Sequence, residues 1–214
     1  MTPKNTSLLR YTGLAAALLA ALLGSGCAPL VMGGAMVGGA FVATDRRTSG
    51  TQLEDEGIEF KAAARIKEQV DSHAHVNVNS YNRLVLLTGE VPTEADRTTA
   101  ERVASQVENV QRVLNELAIG PASALSGRSS DLLIASKMKA SLVDARDLIS
   151  NAFYVVVERG TVFIMGRVSE READRAVNIA RGISGVQKVV RAFEIISEEE
   201  LARLTPKQAA KPAP

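Results

Sequence analysis

The chain has 214 residues, a formal net charge of +1 and near-average charged and apolar content, which bounds it to one or two globular domains. The balanced charge argues against a general nucleic-acid binder, and the absence of Trp with only 4% aromatic residues argues against base-stacking platforms. One Cys excludes an internal disulfide framework, and with two His it is too few for most structural zinc sites.

Residues 1–26 read as a signal peptide. Lys4 and Arg10 give a basic start, Leu14 to Leu23 (LAAALLAALL) an apolar run, and Gly24, Ser25 and Gly26 the small residues before a cut. The lone Cys27 directly after them points to a bacterial lipoprotein signal, in which the thiol is acylated, as with palmitate, and becomes the first residue. The common pattern puts Leu three residues before the Cys, and here Gly24 holds that place. An idle Cys after an ordinary signal peptide and an uncleaved membrane anchor are the alternatives. Each buried methylene of an acyl chain is worth about 0.8 kcal/mol, and stable anchoring takes more than one chain.

Residues 27–52 read as a lipidated apolar tether and linker. Pro29 to Ala43 is apolar, with Gly33, Gly34, Gly38 and Gly39 on one helical face. It is short for a span. It suits a segment lying in the interface, or a small-residue helix packing on another membrane protein. Thr44 to Gln52 is polar and reads as linker.

A first domain is expected over 53–120. Ile58, Ala62, Ile66 and Val70 recur every fourth residue and predict the buried face of a helix. Val76 and Val78 alternate with Asn, a half-buried strand, and Asn82 sits in the turn. Leu84 to Leu87 is a continuous apolar strand. Thr93 and Asp96 form a capping box for a helix running to about Glu108, with Asn109 as a left-handed stop. Val110 to Ile119 closes the sheet. His73 and His75 have no obvious third ligand nearby and are read as surface or turn residues rather than a metal site.

Residues 121–128 read as a linker, and 129–196 as a second copy of the same unit. The two copies share Glu-Ala-Asp-Arg (94–97 and 172–175), Gly-x-Val (Gly89/Val91 and Gly166/Val168) and Val-Gln-x-Val (from Val110 and Val186). A repeat of roughly 76 to 78 residues is a domain, not a solenoid unit. In the second copy Ser130 or Asp131 is expected to cap a helix whose inward face is Ile134, Met138, Leu142 and Ala145. Its other side is unusual: Leu132, Leu133 and Val143 lie among Lys137, Lys139 and Arg146. Apolar residues standing out of a core among basic ones suggest a surface that enters lipid headgroups. Packing of Leu132 and Leu133 on the first domain or the tether is the plainer alternative. Phe153 to Val157 and Val162 to Met165 form a hairpin around Glu158-Arg159-Gly160. Ser169 and Glu172 give a second capping box, and Val186 to Ile196 closes the sheet. The tetrapeptide is read as a helix first turn whose acids complement the dipole. Residues 197–214 are charged and then Ala/Pro/Lys-rich, and read as a helical end that dissolves into a disordered tail.

The order helix, strand, strand, helix, strand, with Gly ending the second strand, resembles the BON domain. Two copies behind a lipoprotein signal resemble the dual-BON outer-membrane lipoproteins of Gram-negative bacteria. The resemblance implies an α+β fold of two tandem domains, each with a three-stranded mixed sheet and two helices on one face. Ala28 follows the Cys where lipoproteins retained at the inner membrane tend to carry Asp, so anchorage at the outer membrane, facing the periplasm, is expected. The family further implies binding of anionic phospholipid through the first helix of the second domain, here Asp131 to Arg146, and support of envelope integrity. An aromatic residue of that helix in the best-known member is replaced here by Leu133.

Charge gives a separate reading. Residues 52–120 hold 7 Lys/Arg against 12 Asp/Glu, net −5, and residues 129–196 hold 10 against 8, net +2. Anionic headgroups attract the second domain and repel the first. The expected lipid-binding set is therefore Leu132, Leu133, Lys137, Lys139, Val143 and Arg146, with Cys27 as the lipidation site and no cofactor. A second reading is a scaffold that meets outer-membrane assembly proteins: Leu84 to Leu87 and Val162 to Met165 are apolar on both faces, and a sheet with helices on one side needs its other face covered. Mutual cover by the two domains is the plain account. An enzyme is disfavoured, since no Ser/His/Asp set, phosphate loop or metal cluster is present.

Overall fold

The computed structural model describes residues 45–204; Cys27, the tether and residues 205–214 lie outside the described residues. The first domain runs α1 (Ser49–Gln69), β1 (His75–Tyr81), β2 (Leu84–Val91), α2 (Glu94–Ser105), β3 (Arg112–Asn115) and β4 (Ala118–Ile119). The second runs α3 (Leu125–Asp144), a 3-10 turn (Ser150–Ala152), β5 (Tyr154–Glu158), β6 (Thr161–Val168), α4 (Glu170–Arg181) and β7 (Lys188–Ile195), followed by a short α5 (Glu198–Leu204). In each sheet the hairpin is antiparallel and the last strand pairs in parallel with the central one, through a helical crossover. β3 and β4 are one interrupted strand: Leu84 faces Arg112 and Glu90 faces Ala118, the same offset on either side of the gap.

The central strands explain the architecture. Along β2, Val85, Leu87 and Val91 join Ile58, Ala62, Ile66 and the α2 residues Ala100, Val103 and Ala104 in one core. Along β6, Val162, Ile164 and Val168 join Ile134, Met138, Leu142 and the small α4 residues Ala173, Ala176 and Ala180 in another. The alternate residues point the other way. Leu84 and Leu86 meet Phe163, Met165 and Ala192 in a third core between the two sheets, with Tyr81 at its edge. The layers are therefore helices, sheet, sheet, helices, and the apolar second face of each sheet is covered by the other domain. The feature that favoured a scaffold reading is accounted for inside the chain.

Each hairpin turns in two residues, both with positive φ: Asn82 (49°) and Arg83 (66°), then Arg159 (52°) and Gly160 (69°). This is the mirror-image turn that matches strand twist. A carboxylate from the preceding helix holds each turn. Asp55 accepts from the backbone N–H groups of Asn82 and Arg83, and Asp131 from those of Arg159 and Gly160, all at 2.8 Å. Asp131 is thus no helix cap. Helix α3 begins at Leu125, within the expected linker, and Asp131 sits mid-helix and buried.

Two other boundaries move. Helix α1 begins at Ser49, capped by Thr48, and Asp45 to Thr48 is not free linker: Arg46 is buried. Helix α2 stops at Ser105 rather than near Glu108, although Asn109 is left-handed as expected, at φ 69°. The shared tetrapeptide is out of register with the fold. Helix α2 starts at Glu94 but α4 at Glu170, so the counterpart of Asp96 is Glu172, not Asp174. Both still act at a first turn: Thr93 Oγ1 accepts from the Asp96 N–H, and Glu172 accepts from the Ser169 N–H.

The Gly-x-Val motif has a steric cause. A Cβ on Gly89 would lie 2.0 Å from the His75 carbonyl oxygen, and one on Gly166 2.4 Å from that of Ala152. Gly89 also holds φ +110°. Gly89→Ala is expected to lower the unfolding free energy by about 2–3 kcal/mol, read from the urea midpoint at unchanged slope.

Candidate functional site

Helix α3 has two faces because its inward positions recur at three and four residues. Ile134, Met138 and Leu142 seal the second domain, and Ala145 follows as the C-cap. On the outside, Leu132, Leu133 and Val143 are 70%, 63% and 69% exposed. Lys137, Lys139 and Arg146 are exposed as well, so all six residues anticipated there reach solvent. Leu132 and Leu133 do not pack into the first domain.

At 100° per residue, Leu132, Ser136, Ala140 and Val143 form one strip about 16 Å long. Lys137 falls on one side of it and Lys139 on the other, two residues apart and about 200° around the axis. Arg146 extends the ridge just past the helix end. None of the three cations forms an ion pair with another described residue, and the nearby Asp147 is taken by Arg175 at 3.1 Å. Small residues at 136 and 140 leave the apolar strip low between longer basic stems. Such stems lay their methylenes along apolar surface while their charges stay in a polar layer.

Two clefts flank the helix. On the Leu133 and Lys137 side is a cavity of about 930 Å3, bounded by the β5–β6 turn, the α4–β7 loop around Ser184 to Gln187, and the interdomain stretch Ile119 to Ala124. On the Leu132 side is a smaller one of about 350 Å3 with Glu158 and His75 in its wall. Burial, and then the neighbouring Glu90, push the Glu158 carboxyl above its ordinary range. His75 lies 3.6 Å from Glu90, and His73 bonds Asp71 at 2.8 Å. No group of three metal-ligating side chains occurs among the described residues.

One strong polar site was not anticipated. Arg46 forks onto Glu172 at 2.7 and 2.8 Å and donates to the Arg167 carbonyl at 2.8 Å. The next residue, Arg47, bonds Asp55 at 2.8 Å and lies over the Tyr81 ring at 4.2 Å. Consecutive arginines thus fasten one segment to both domains. Asp55 could have been found by aligning the copies at 76 residues, which sets it against Asp131. Leu53 and Phe60, on the outer face of α1, are also exposed. They lie on the opposite outer layer from α3.

The chain is a tandem pair of mixed sheets, each covered by helices on its outer face. Residues 54–121 and 130–197 each match the BON domain, and the chain belongs to the BON-domain family. Its relatives narrow this to the DolP-like, dual-domain branch. It is 39% identical over 186 residues, covering 83% of this chain and 95% of the relative, to "Outer membrane lipoprotein DolP" of Haemophilus influenzae. It is 32% identical over 154 residues, 71% of this chain and 79% of the relative, to a "21 kDa hemolysin" of Actinobacillus pleuropneumoniae. It is 30% identical over 146 residues, 65% and 72%, to "Osmotically-inducible protein Y" of Escherichia coli. The chain is an outer-membrane lipoprotein with BON domains. No described helix is long and apolar enough to cross a membrane.

Proposed function

We propose that this protein is a non-enzymatic lipoprotein, acylated at Cys27 on the periplasmic side of the outer membrane, whose second BON domain binds anionic phospholipid and so supports envelope integrity. The observation that carries the reading is the outer face of α3. Three large apolar side chains stand in solvent there, flanked on both sides by unpaired cations. A bilayer interface satisfies both halves of that combination. Leu132, Leu133 and Val143 enter the acyl boundary, while Lys137, Lys139 and Arg146 meet phosphates. Each cation near an anionic surface contributes about 1 kcal/mol. The acyl anchor holds the domain at high effective concentration, so weak headgroup contacts suffice to bias where the protein resides.

The test is residue-resolved NMR of a form with Cys27 replaced by Ser, titrated with anionic and then zwitterionic micelles. Shifts confined to residues 131–146 and neighbouring loops, with anionic micelles only, are expected. Equal response to both micelles, or shifts centred on α1 and its exposed Phe60, would overturn the reading.

A further inference from the structure

Helix α1 buries Ile58, Ala62 and Ile66 and turns its opposite side to solvent. At 100° per residue that side carries Leu53, Gly57, Phe60 and Ala64 in one seam, directly away from the core. Leu53 is 71% and Phe60 78% exposed, the two most exposed large apolar side chains among the described residues. We infer that this seam is a self-association surface, through which two copies of the chain pair antiparallel about a twofold axis beside Phe60. It is separate from lipid binding, since α3 lies on the other outer layer.

The seam is complementary to itself. Glu56 and Lys67 are exposed, lie within about 40° of Phe60 on the same flank, and form no ion pair with another described residue. A twofold beside Phe60 sets each residue a given number of places before it opposite the one as many places after it in the second copy. Glu56 then stands about 4–5 Å along the axis from Lys67 of the second copy, within reach of a rim ion pair. On the other flank Leu53 lies over Ala64 of the second copy, and the two Phe60 rings meet at the centre. A foreign helix of one charge would meet a like charge at one end of the seam. Neighbouring charges are drawn aside: Lys61 pairs with Glu108 at 3.1 Å, Arg65 donates to the Gln106 carbonyl at 3.3 Å, and Glu54 pairs with Arg83 at 2.7 Å. Gly57 adds a steric argument. Glycine weakens a helix interior, and a Cβ there would meet nothing within 4 Å, so nothing inside the fold requires it. Close approach of a second helix does. One helix per copy buries less than the roughly 1,200 Å2 of a stable interface, so the pair is weak, with a dissociation constant of about 0.1–1 mM. A lipoprotein confined to a membrane surface reaches effective concentrations of that order. The twofold turns the two α3 ridges to opposite outer sides of the pair, so pairing leaves both uncovered.

The experiment is sedimentation equilibrium of the full mature chain, with Cys27→Ser, up to about 1 mM. The weight-average mass should rise from monomer toward dimer, and Phe60→Ser should weaken the association by at least about tenfold. Glu56→Lys and Lys67→Glu should each weaken it by about tenfold, and the two together should recover it to within about threefold, because the swap restores opposite charges across the seam. Oxidative crosslinking tests the register in the same background. Phe60→Cys should couple to itself much faster than Leu53→Cys, which is as exposed but lies about 21 Å along the axis from its own symmetry copy. A mixture of Leu53→Cys and Ala64→Cys should couple faster than either alone. A chain that stays monomeric throughout the range, a charge swap that recovers nothing, or equal coupling of Phe60→Cys and Leu53→Cys would each overturn the inference. No lipid enters these measurements, so their outcome is distinct from that of the lipid-binding test.

Discussion

Replacing Arg46 by Met should cost about 3–5 kcal/mol of folding stability, a large share of the roughly 5–15 kcal/mol typical of a folded domain. The side chains of Arg46 and Glu172 are only 2% and 4% exposed, and their two-pronged contact is completed by the Arg167 carbonyl. Removing the guanidinium leaves a buried carboxylate without its counter-charge, and that, more than the lost attraction, sets the magnitude. Two further measurements separate this cause from simple loss of packing. Adding Glu172→Gln to Arg46→Met should recover a substantial part of the loss, since the stranded charge is gone. The deficit should also depend on pH. In the wild type, burial tends to raise the Glu172 carboxyl, but the Arg46 fork and the Ser169 N–H outweigh it and hold it below its ordinary range. A depressed native value stabilises the fold above the unfolded value of about 4.3, and the benefit disappears as pH falls through the native value. Without Arg46 the effect of burial is countered only by the weaker Ser169 N–H and Arg171, so ionised Glu172 loses most of its support and its protonation costs the folded form much less. The gap between wild type and Arg46→Met should therefore be widest near neutral pH and narrow toward pH 4. Urea titrations at both pH values decide it; a constant deficit below about 1 kcal/mol would show that the pair is not what holds this segment.

Arg46 also marks where the sequence stopped being informative. A polar run after an apolar tether has the composition of a linker, and nothing local distinguishes a buried arginine from a solvated one. Its partner lies 126 residues away, so its role is visible only once the chain is folded. The sheets were legible for the opposite reason. Strand periodicity is local, and the unbroken apolar runs of β2 and β6 state directly that both faces are buried. The outward residues of α3 were legible too, because Ile134, Met138 and Leu142 fix the helix phase and leave Leu132, Leu133 and Val143 nowhere to go but outside. The most conspicuous identity between the copies was a weaker guide than it looked. Glu-Ala-Asp-Arg matches at a spacing of 78 residues, whereas the helices that contain it are offset by 76. The pair that does match at 76, Asp55 and Asp131, differs in its flanking residues and is quiet in sequence. It does the same work twice, capping a turn from a neighbouring helix.

Reversing both cations of the helical ridge, Lys137→Glu with Lys139→Glu, should weaken binding to anionic vesicles by about a thousandfold at low salt. Each reversal removes one attraction of roughly 1 kcal/mol and adds a repulsion of similar size, so two positions amount to about 4 kcal/mol. The two residues stand on opposite flanks of the strip, so either replacement alone should produce about half the free-energy effect, nearly additively. Wild-type binding should itself fall as salt rises from 0.01 to 0.1 M, where the screening length shortens from about 30 to about 10 Å, while the reversed variant should respond in the opposite sense. Lys67→Glu on α1 is the matched control. Lys67 is exposed in the last turn of its helix, on the far outer layer, and makes the same change in net charge per residue. It should alter binding by no more than a few-fold. Vesicle co-sedimentation with the Cys27→Ser form reads all of these without the acyl anchor. If Lys67→Glu weakened binding as much as either α3 substitution, net charge rather than the ridge would be steering the protein, and the second domain would have no privileged side. The stability of both variants should match wild type within about 0.5 kcal/mol, since the altered side chains are solvated and unpaired in the fold.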